Sequence, residues 1–208
     1  MNLETIYHHV ISGEMDETAE SVSAALSQGV SPNDILNKAL IAAMDEVGRR
    51  YEEGDFFVPE MLIAARAMQS GLQVLKPHLV QGGVQSAGKI AIGTVKGDLH
   101  DIGKNLVAMM LEGAGFEVVD LGTDVDPQKF VQSAKEGAQV IGLSALLTTT
   151  MSNMELTIDA LKQAGLRGQV KVIVGGAPVT AEFARQIGAD GFAPDASTAA
   201  RVVRQLLD

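Results

Sequence analysis

The sequence predicts a helical bundle followed by an α/β domain with a five-stranded parallel sheet, and three observations support this fold. Residues 1–80 carry apolar side chains at helical spacing. Residues 89–208 alternate short β-branched runs with amphipathic segments. A polar, glycine-containing stretch at 81–88 separates the two patterns. We therefore expect a bundle domain at 1–80, a linker at 81–88 and an α/β domain at 89–208.

Four amphipathic segments make up the predicted bundle. The first two have apolar residues three or four positions apart, and Gly29 follows the second as a stop signal. Ser31 and Pro32 are typical of the cap and first position of a third helix. A fourth helix should begin near Pro59 and lose its apolar stripe after Pro77. Four such helices with short connections indicate a small bundle.

Alternating strand-like and helix-like segments define the second domain. Strands are predicted at 90–95, 116–121, 140–144, 170–174 and 191–192, and helices at 104–113, 127–136, 152–164, 180–187 and 196–207. Parallel strands connected through helices place helices on both faces of the sheet. A flavodoxin-like (Rossmann-like) strand order is the expected arrangement.

Composition and charge exclude several classes of protein. The chain has 208 residues, 46% of them hydrophobic, which is ample for packed cores. It has no cysteine, so it has neither disulfides nor thiolate metal sites. The net charge of −10 disfavours nucleic acid as a partner. No basic leader precedes an apolar core, and no apolar run reaches the roughly 20 residues of a membrane span. We therefore expect a soluble, cytoplasmic protein without a membrane or nucleic-acid partner.

The loop after the first predicted strand carries a histidine and a carboxylate two residues apart. It reads Gly97-Asp98-Leu99-His100-Asp101-Ile102-Gly103 and precedes a helix, at a place where open α/β sheets bind ligands. His100 can offer one ring nitrogen to a metal while Asp98 accepts the N–H of the other, which fixes the tautomer. Gly97 and Gly103 flank the pair without side chains, so a large flat ligand can approach the backbone.

One histidine with one carboxylate is too small a set for an all-protein metal cage, and a loop histidine is more often solvated or hydrogen-bonded than metal-bound. The pattern Asp98-x-His100-x-x-Gly103, however, resembles the DxHxxG signature of cobalamin proteins that bind the cofactor with its own base displaced. Two further blocks of that family follow in order. They are Ser144-x-Leu146, which matches the SxL block, and Gly175-Gly176, which matches the GG block.

This resemblance implies a role for each motif. His100 would be the lower axial ligand to cobalt in base-off cobalamin, and Asp98 would hydrogen-bond to it. Thr150 matches the serine that extends this hydrogen-bond chain in methionine synthase. The serine and glycine positions would line a slot for the displaced nucleotide tail, so Gly176→Val is expected to block the slot without unfolding the sheet. The implied cofactor-binding positions in this domain are Gly97, Asp98, Leu99, His100, Asp101, Ile102, Gly103, Ser144, Leu146, Thr148, Gly175 and Gly176.

The bundle carries a second resemblance. Residues 51–59, YEEGDFFVP, resemble the cap segment of cobalamin-dependent methionine synthase and of corrinoid methyltransfer proteins. In those proteins two apolar side chains cover the upper, methyl-bearing face of the corrin. By position they fall on Tyr51 and Val58, where methionine synthase has Phe and Leu. The bundle would then be a cap that moves on the 81–88 hinge.

Together these resemblances imply a stand-alone corrinoid protein of a three-component methyltransferase system. It would carry a methyl group on cobalt, alternating between methylcobalamin and cob(I)alamin, and would be a subunit rather than an autonomous enzyme. The implied partners are a substrate-specific methyltransferase, a second methyltransferase that uses tetrahydrofolate or a thiol, and a reductive activase. Specificity for the methyl donor would lie in the partner methyltransferase, so this sequence does not identify the donor.

Other interpretations lack a required feature. A cobalamin-dependent sensor is the main alternative, but it should add a basic DNA-binding segment, which the acidic charge argues against. A receiver-like signalling domain needs a phosphoacceptor aspartate after the third strand, where Ser144 stands. A dinucleotide-binding domain needs GxGxxG after the first strand, and that motif is missing.

Overall fold

The computed structural model describes residues 2–81 and 86–207, and the chain divides into two compact units. The first unit is Met1–Ser86 with Glu112–Gly115, and the second is Ala87–Leu111 with Phe116–Asp208. Most of the predicted linker, residues 82–85, lies outside the described residues. In the part of the chain that is described, no helix combines the length and the apolar character needed to cross a membrane.

The first unit is helical, as expected, and its helices follow the four predicted segments. Its elements are α1 (Leu3–Ser12), α2 (Met15–Ser27), α3 (Pro32–Ile35), a π-helical stretch (Leu36–Ile41), α4 (Ala42–Glu52) and α5 (Val58–Gln81). The elements from α3 to α4 follow one another without a break, so they make up the third predicted helix. The bundle core is formed by Ile6, Val10, Val22, Ile35, Leu40, Met61, Met68 and Leu75, all fully or almost fully buried.

Two details of the bundle were not foreseen. Helix α5 continues through Pro77 to Gln81, whereas its apolar stripe was expected to stop at the proline. A proline inside a helix loses one backbone hydrogen bond, but Leu75 and Leu79 on either side of it are buried and hold the last turns in place. Gly71 lets α5 approach α2 closely, because a Cβ there would lie 3.0 Å from Thr18 Cγ2.

The second unit is a doubly wound α/β domain. Its strands are β1 (Lys89–Thr94), β2 (Glu117–Asp120), β3 (Val140–Ser144), β4 (Lys171–Gly175) and β5 (Gly191–Ala193), and its helices are α6 (Ile102–Gly113), α7 (Pro127–Lys135), α8 (Ser152–Gln163), α9 (Ala181–Ile187) and α10 (Ala196–Leu207). All strand pairs are parallel and the order is β2-β1-β3-β4-β5. The predicted flavodoxin-like arrangement is therefore confirmed.

The sheet register determines which loops are neighbours. Thr94 at the end of β1 pairs with Ser144 at the end of β3, and Ser144 pairs in turn with Gly175 at the end of β4. Because these strands are parallel, the segments that follow them emerge at the same edge of the sheet. Helix α6 begins at Ile102, two residues earlier than expected, so Ile102 and Gly103 form its first turn. The three motif blocks therefore meet at the carboxyl edge.

Candidate binding site at the carboxyl edge of the sheet

The centre of the carboxyl edge is the buried carboxylate of Asp98, which is 0% exposed. One oxygen, Oδ1, accepts from the His100 backbone N–H at 3.1 Å and lies 2.7 Å from His100 Nδ1. The other oxygen, Oδ2, accepts from the backbone N–H groups of Leu146 at 2.8 Å and Leu147 at 3.2 Å, and from Thr150 Oγ1 at 2.7 Å. Asp98 therefore fastens the loop after β1 to the loop after β3.

These hydrogen bonds keep the Asp98 carboxylate charged. Burial by itself raises the pKa of Asp98, because it disfavours the charged form. Hydrogen bonds from Thr150 and His100 and from the backbone outweigh that effect, so the pKa of Asp98 is held well below its usual range. A carboxylate in this state can only accept hydrogen bonds.

That charge sets the tautomer of His100. Since Asp98 accepts, the hydrogen of the neutral imidazole lies on Nδ1, and the lone pair lies on Nε2. The side chain of His100 is 50% exposed. The backbone is held as well, because the buried hydroxyl of Thr94 donates to the His100 carbonyl at 2.9 Å. The arrangement presents an oriented nitrogen lone pair at an accessible surface, as a metal ligand requires.

The Thr150 hydroxyl lies behind Asp98, on the side away from His100. Its hydroxyl oxygen is 2.7 Å from Asp98 Oδ2 and 2.9 Å from the Leu147 carbonyl. A hydroxyl has one hydrogen, so Thr150 can donate to only one of these acceptors at a time. The predicted chain from His100 through Asp98 to Thr150 is present in the structure.

Asp124 supports the loop from outside and was not foreseen. Its Oδ1 accepts from the Gly97 N–H at 2.8 Å, and its own N–H donates to the Asp98 carbonyl at 2.9 Å. The Gly97 hydrogen bond and then the Lys96 ammonium lower the pKa of Asp124. Gly97 has a φ of 80°, which favours glycine at this turn. Neither Asp124 nor Thr94 belongs to a motif, so only the folded structure identifies them.

Large apolar side chains are exposed around His100. Leu99 is 73% and Ile102 84% exposed, and Leu146 and Leu147 are each more than 40% exposed. Exposed apolar side chains grouped in this way usually mark a binding surface. A Cβ added at Gly103 would have no atom within 4 Å, so the first turn of α6 adds no bulk there. The surface suits a large, partly apolar ligand held by one nitrogen ligand.

The other predicted positions lie in the same segments. Ser144 is the half-buried last residue of β3, Thr148 is exposed in the loop that follows, and Asp101 is exposed directly before α6. Gly175 is the last residue of β4, where a Cβ would lie 2.8 Å from the Ala193 carbonyl oxygen. Gly175 is therefore required by the packing of β4 against β5.

Gly176 corrects one expectation about the slot. A Cβ on Gly176 would lie 1.9 Å from the carbonyl oxygen of Ala145, and its φ is 127°. Gly176→Val would therefore displace the backbone at the end of β3, and it cannot block a slot while leaving the sheet intact. The sequence pattern suggested room for a ligand, whereas the structure shows a close approach of two backbone segments.

This close approach gives a testable prediction. Gly176→Ala should lower the free energy of unfolding by about 2 kcal/mol or more, because it adds both a steric clash and an unfavourable φ. Gly137→Ala is the matched control, since Gly137 has a φ of 93° but no atom within 4 Å of an added Cβ. Urea unfolding of both variants measures the difference. Equal losses of stability would contradict the clash.

Tyr51 and Val58 belong to the helical unit. Tyr51 is half-buried in α4, and Val58, the first residue of α5, is 40% exposed. Phe57 beside it is 64% exposed. The assignment of Tyr51 and Val58 as residues that cover a ligand stays a prediction.

Comparison with known proteins places the chain in a family. The B12 binding domain family matches residues 88–203, and a second B12 binding domain family matches residues 3–76. Trimethylamine corrinoid protein 1 of Methanosarcina mazei is 48% identical over 196 residues, covering 92% of this chain and 91% of that protein.

Two solved structures are similar along the whole chain. A novel cobalamin-binding protein from Desulfitobacterium hafniense has a TM-score of 0.82 at 33% identity, covering 99% of this chain and 98% of that chain. The methanol:cobalamin methyltransferase complex MtaBC from Methanosarcina barkeri has a TM-score of 0.86 at 30% identity, covering 99% of this chain and 79% of that chain. On the strength of both family matches and of these relatives, the chain belongs to the B12-binding corrinoid proteins.

Proposed function

We propose that this protein is a methyl carrier that holds a base-off corrinoid with His100 as the lower axial ligand. The observation that supports the proposal is the orientation of His100, whose Nδ1 lies 2.7 Å from a buried carboxylate while its ring is half exposed. Electron paramagnetic resonance of 15N-labelled protein loaded with unlabelled Co(II) cobalamin tests the assignment, because a ligating 15N imidazole splits the signal into doublets, whereas the cofactor's own 14N base gives triplets.

The residues of the site fit a corrinoid. A corrinoid supplies a cobalt centre that accepts and releases a methyl group. His100 would hold it through Nε2, and the exposed side chains of Leu99 and Ile102 would cover apolar parts of the ring system. Gly97 and Gly103 would allow the flat ligand to lie close to the loop.

The hydrogen-bond chain behind His100 would adjust the strength of that ligand. Asp98 holds the proton at His100 Nδ1, and a stronger pull on that proton makes Nε2 a better donor. When the Thr150 hydroxyl donates to Asp98 it withdraws charge from the carboxylate, and when it donates to the Leu147 carbonyl it does not. Rotation of one hydroxyl group would therefore alter the basicity of Nε2.

The relatives support a methyltransferase as a partner. Those reported above are corrinoid proteins and a methyltransferase complex, which favours a methyl carrier over a cobalamin-dependent sensor. We propose a substrate-specific methyltransferase as the source of the methyl group. A second methyltransferase, with tetrahydrofolate or a thiol as acceptor, would remove it, and a reductive activase would restore the low oxidation state of cobalt. Tyr51 and Val58 would cover the upper face of the corrin.

Gly103 offers a test of the proposed corrinoid-binding surface. Gly103→Val should leave the fold intact, since its Cβ projects into open space, and should weaken cobalamin retention by about tenfold or more through steric exclusion. Gly168→Val is the matched control, because Gly168 also has open space and lies away from the carboxyl edge. Cobalamin retained after gel filtration is the measurement. Full retention of cobalamin by a folded Gly103→Val protein would contradict the proposed binding surface.

A further inference from the structure

We propose that Lys104 is a positioning residue for His100, acting through Asn105 and Asp101. The inference rests on the proposed function, in which His100 is the metal ligand. Lys104 is 2% exposed, and within residues 2–81 and 86–207 it and Asp98 are the two buried ionisable residues. Neither the motif blocks nor the contacts of Asp98 account for it.

The location of Lys104 is unfavourable for a cation. Burial removes the ammonium from water, which costs several kcal/mol unless partners compensate. Lys104 is also in the first turn of α6, where the positive end of the helix dipole disfavours a cation. A methionine or leucine would fill the same space without either cost. The charge is therefore explained by what its ammonium holds.

The ammonium is the middle of a chain of hydrogen bonds that begins at the edge strand. Lys104 Nζ contacts Asp120 Oδ2 at the end of β2 at 2.5 Å, and Asp120 Oδ1 accepts from the Gly122 N–H at 2.9 Å. Lys104 Nζ also donates to Asn105 Oδ1 at 2.6 Å. This contact orients the Asn105 amide so that its Nδ2 faces the other way.

The chain ends at the residue that follows His100. Asn105 Nδ2 donates to Asp101 Oδ2 at 3.1 Å, and the Asn105 N–H donates to the Asp101 carbonyl at 2.8 Å. The peptide between His100 and Asp101 is thus held on both sides, by Thr94 on the His100 carbonyl and by Asn105 on Asp101. Lys104 therefore orients the Asn105 side-chain amide, which holds Asp101.

A different role for Lys104 would be to tie α6 to β2 and do nothing more. The two roles predict different behaviour for Asn105→Ala. This variant leaves the Lys104–Asp120 ion pair and the backbone hydrogen bond to the Asp101 carbonyl intact but removes the side-chain hydrogen bond to Asp101. Asn105 is only half-buried, so the protein should fold. A simple tie predicts that Asn105→Ala leaves His100 unchanged, whereas positioning predicts that it disturbs His100 as Lys104→Met does.

The experiment uses the full-length apoprotein and nuclear magnetic resonance. The reporters are the His100 ring nitrogens and the exchange rate of the His100 amide, which donates to Asp98. We expect both Lys104→Met and Asn105→Ala to shift the ring signals and to accelerate amide exchange by about fivefold, the equivalent of one hydrogen bond. Lys162→Met is the matched control, because Lys162 pairs with Asp159 on the surface of α8.

The outcomes separate this inference from the proposed function. If neither variant changes the His100 reporters, or if only Lys104→Met does, positioning through Asn105 is wrong. In the holoprotein, weaker or heterogeneous nitrogen splitting in both variants supports the inference. Failure of the proposed function gives another result, since unmodified protein loaded with Co(II) cobalamin would then show no protein nitrogen splitting at all.

Discussion

His100→Ala should abolish the splitting from protein nitrogen in the electron paramagnetic resonance spectrum of the 15N-labelled, Co(II) cobalamin-loaded protein and should sharply reduce cobalamin retention. Axial ligation is the one coordination bond that this chain is proposed to supply, so a loss of affinity of about a hundredfold or more is expected. The fold should survive, because the imidazole ring is half exposed. Thermal unfolding of the apoprotein should therefore change little, while the spectrum of the loaded protein changes completely.

His78→Ala is the matched control for this experiment, because His78 is an exposed histidine on α5 of the helical unit. It should leave both retention and spectrum unchanged. An unaltered spectrum in His100→Ala would exclude His100 as the lower ligand, whatever the retention.

Asp98→Ala should strongly destabilise the folded protein. It leaves donors from His100, Leu146, Leu147 and Thr150 without their shared acceptor in a buried place. Each unsatisfied buried donor costs about 1–3 kcal/mol, so a combined loss of about 3 kcal/mol or more in the free energy of unfolding is expected. Urea unfolding measures this loss, and Asp159→Ala, which removes a half-exposed carboxylate on α8, is the control.

The same carboxylate predicts how the effect depends on pH. The folded-state pKa of Asp98 is lowered, so its stabilising contribution is fully present above the pKa of about 4 that aspartate has in an unfolded chain. The contribution declines as pH falls below that value towards the folded-state pKa. Asp98→Asn should therefore be less stable than the unmodified protein at pH 6, and the difference should shrink as the pH is lowered to 2. A constant difference across this range would contradict the assignment.

Much of the architecture could be predicted because it depends on local patterns. The alternation of strands and helices predicted all five strands within about two residues, and the three motif blocks predicted the B12-binding family that the comparisons confirm. The His100, Asp98 and Thr150 chain was also foreseen, because all three positions match motif residues. Sequence patterns of this kind record what each short segment prefers.

The features of the fold and the site that were not predicted depend on contacts between residues far apart in the sequence. Asp124, 27 positions after Gly97, supports the loop, and Lys104 reaches Asp120 across 16 positions. No periodicity or spacing reveals such pairs. Gly176 shows the same limit, since its sequence pattern did not indicate whether a ligand or the Ala145 backbone excludes a side chain. Helix α5 continues past Pro77 because its buried neighbours Leu75 and Leu79 stabilise the last turns.

The hydrogen bond from Thr94 to the His100 carbonyl also restricts the number of residues that can lie between them. Thr94 is the last residue of β1, and Asp98 N–H closes a turn on the Val95 carbonyl, so one inserted or deleted codon between 94 and 100 would separate the partners. The turn that contains Gly165 and Gly168 lies at the opposite edge of the sheet and has open space at both glycines, so a change of length there does not alter the spacing between Thr94 and His100. A peptide tag or a fluorescent reporter placed in that turn would leave the carboxyl edge untouched.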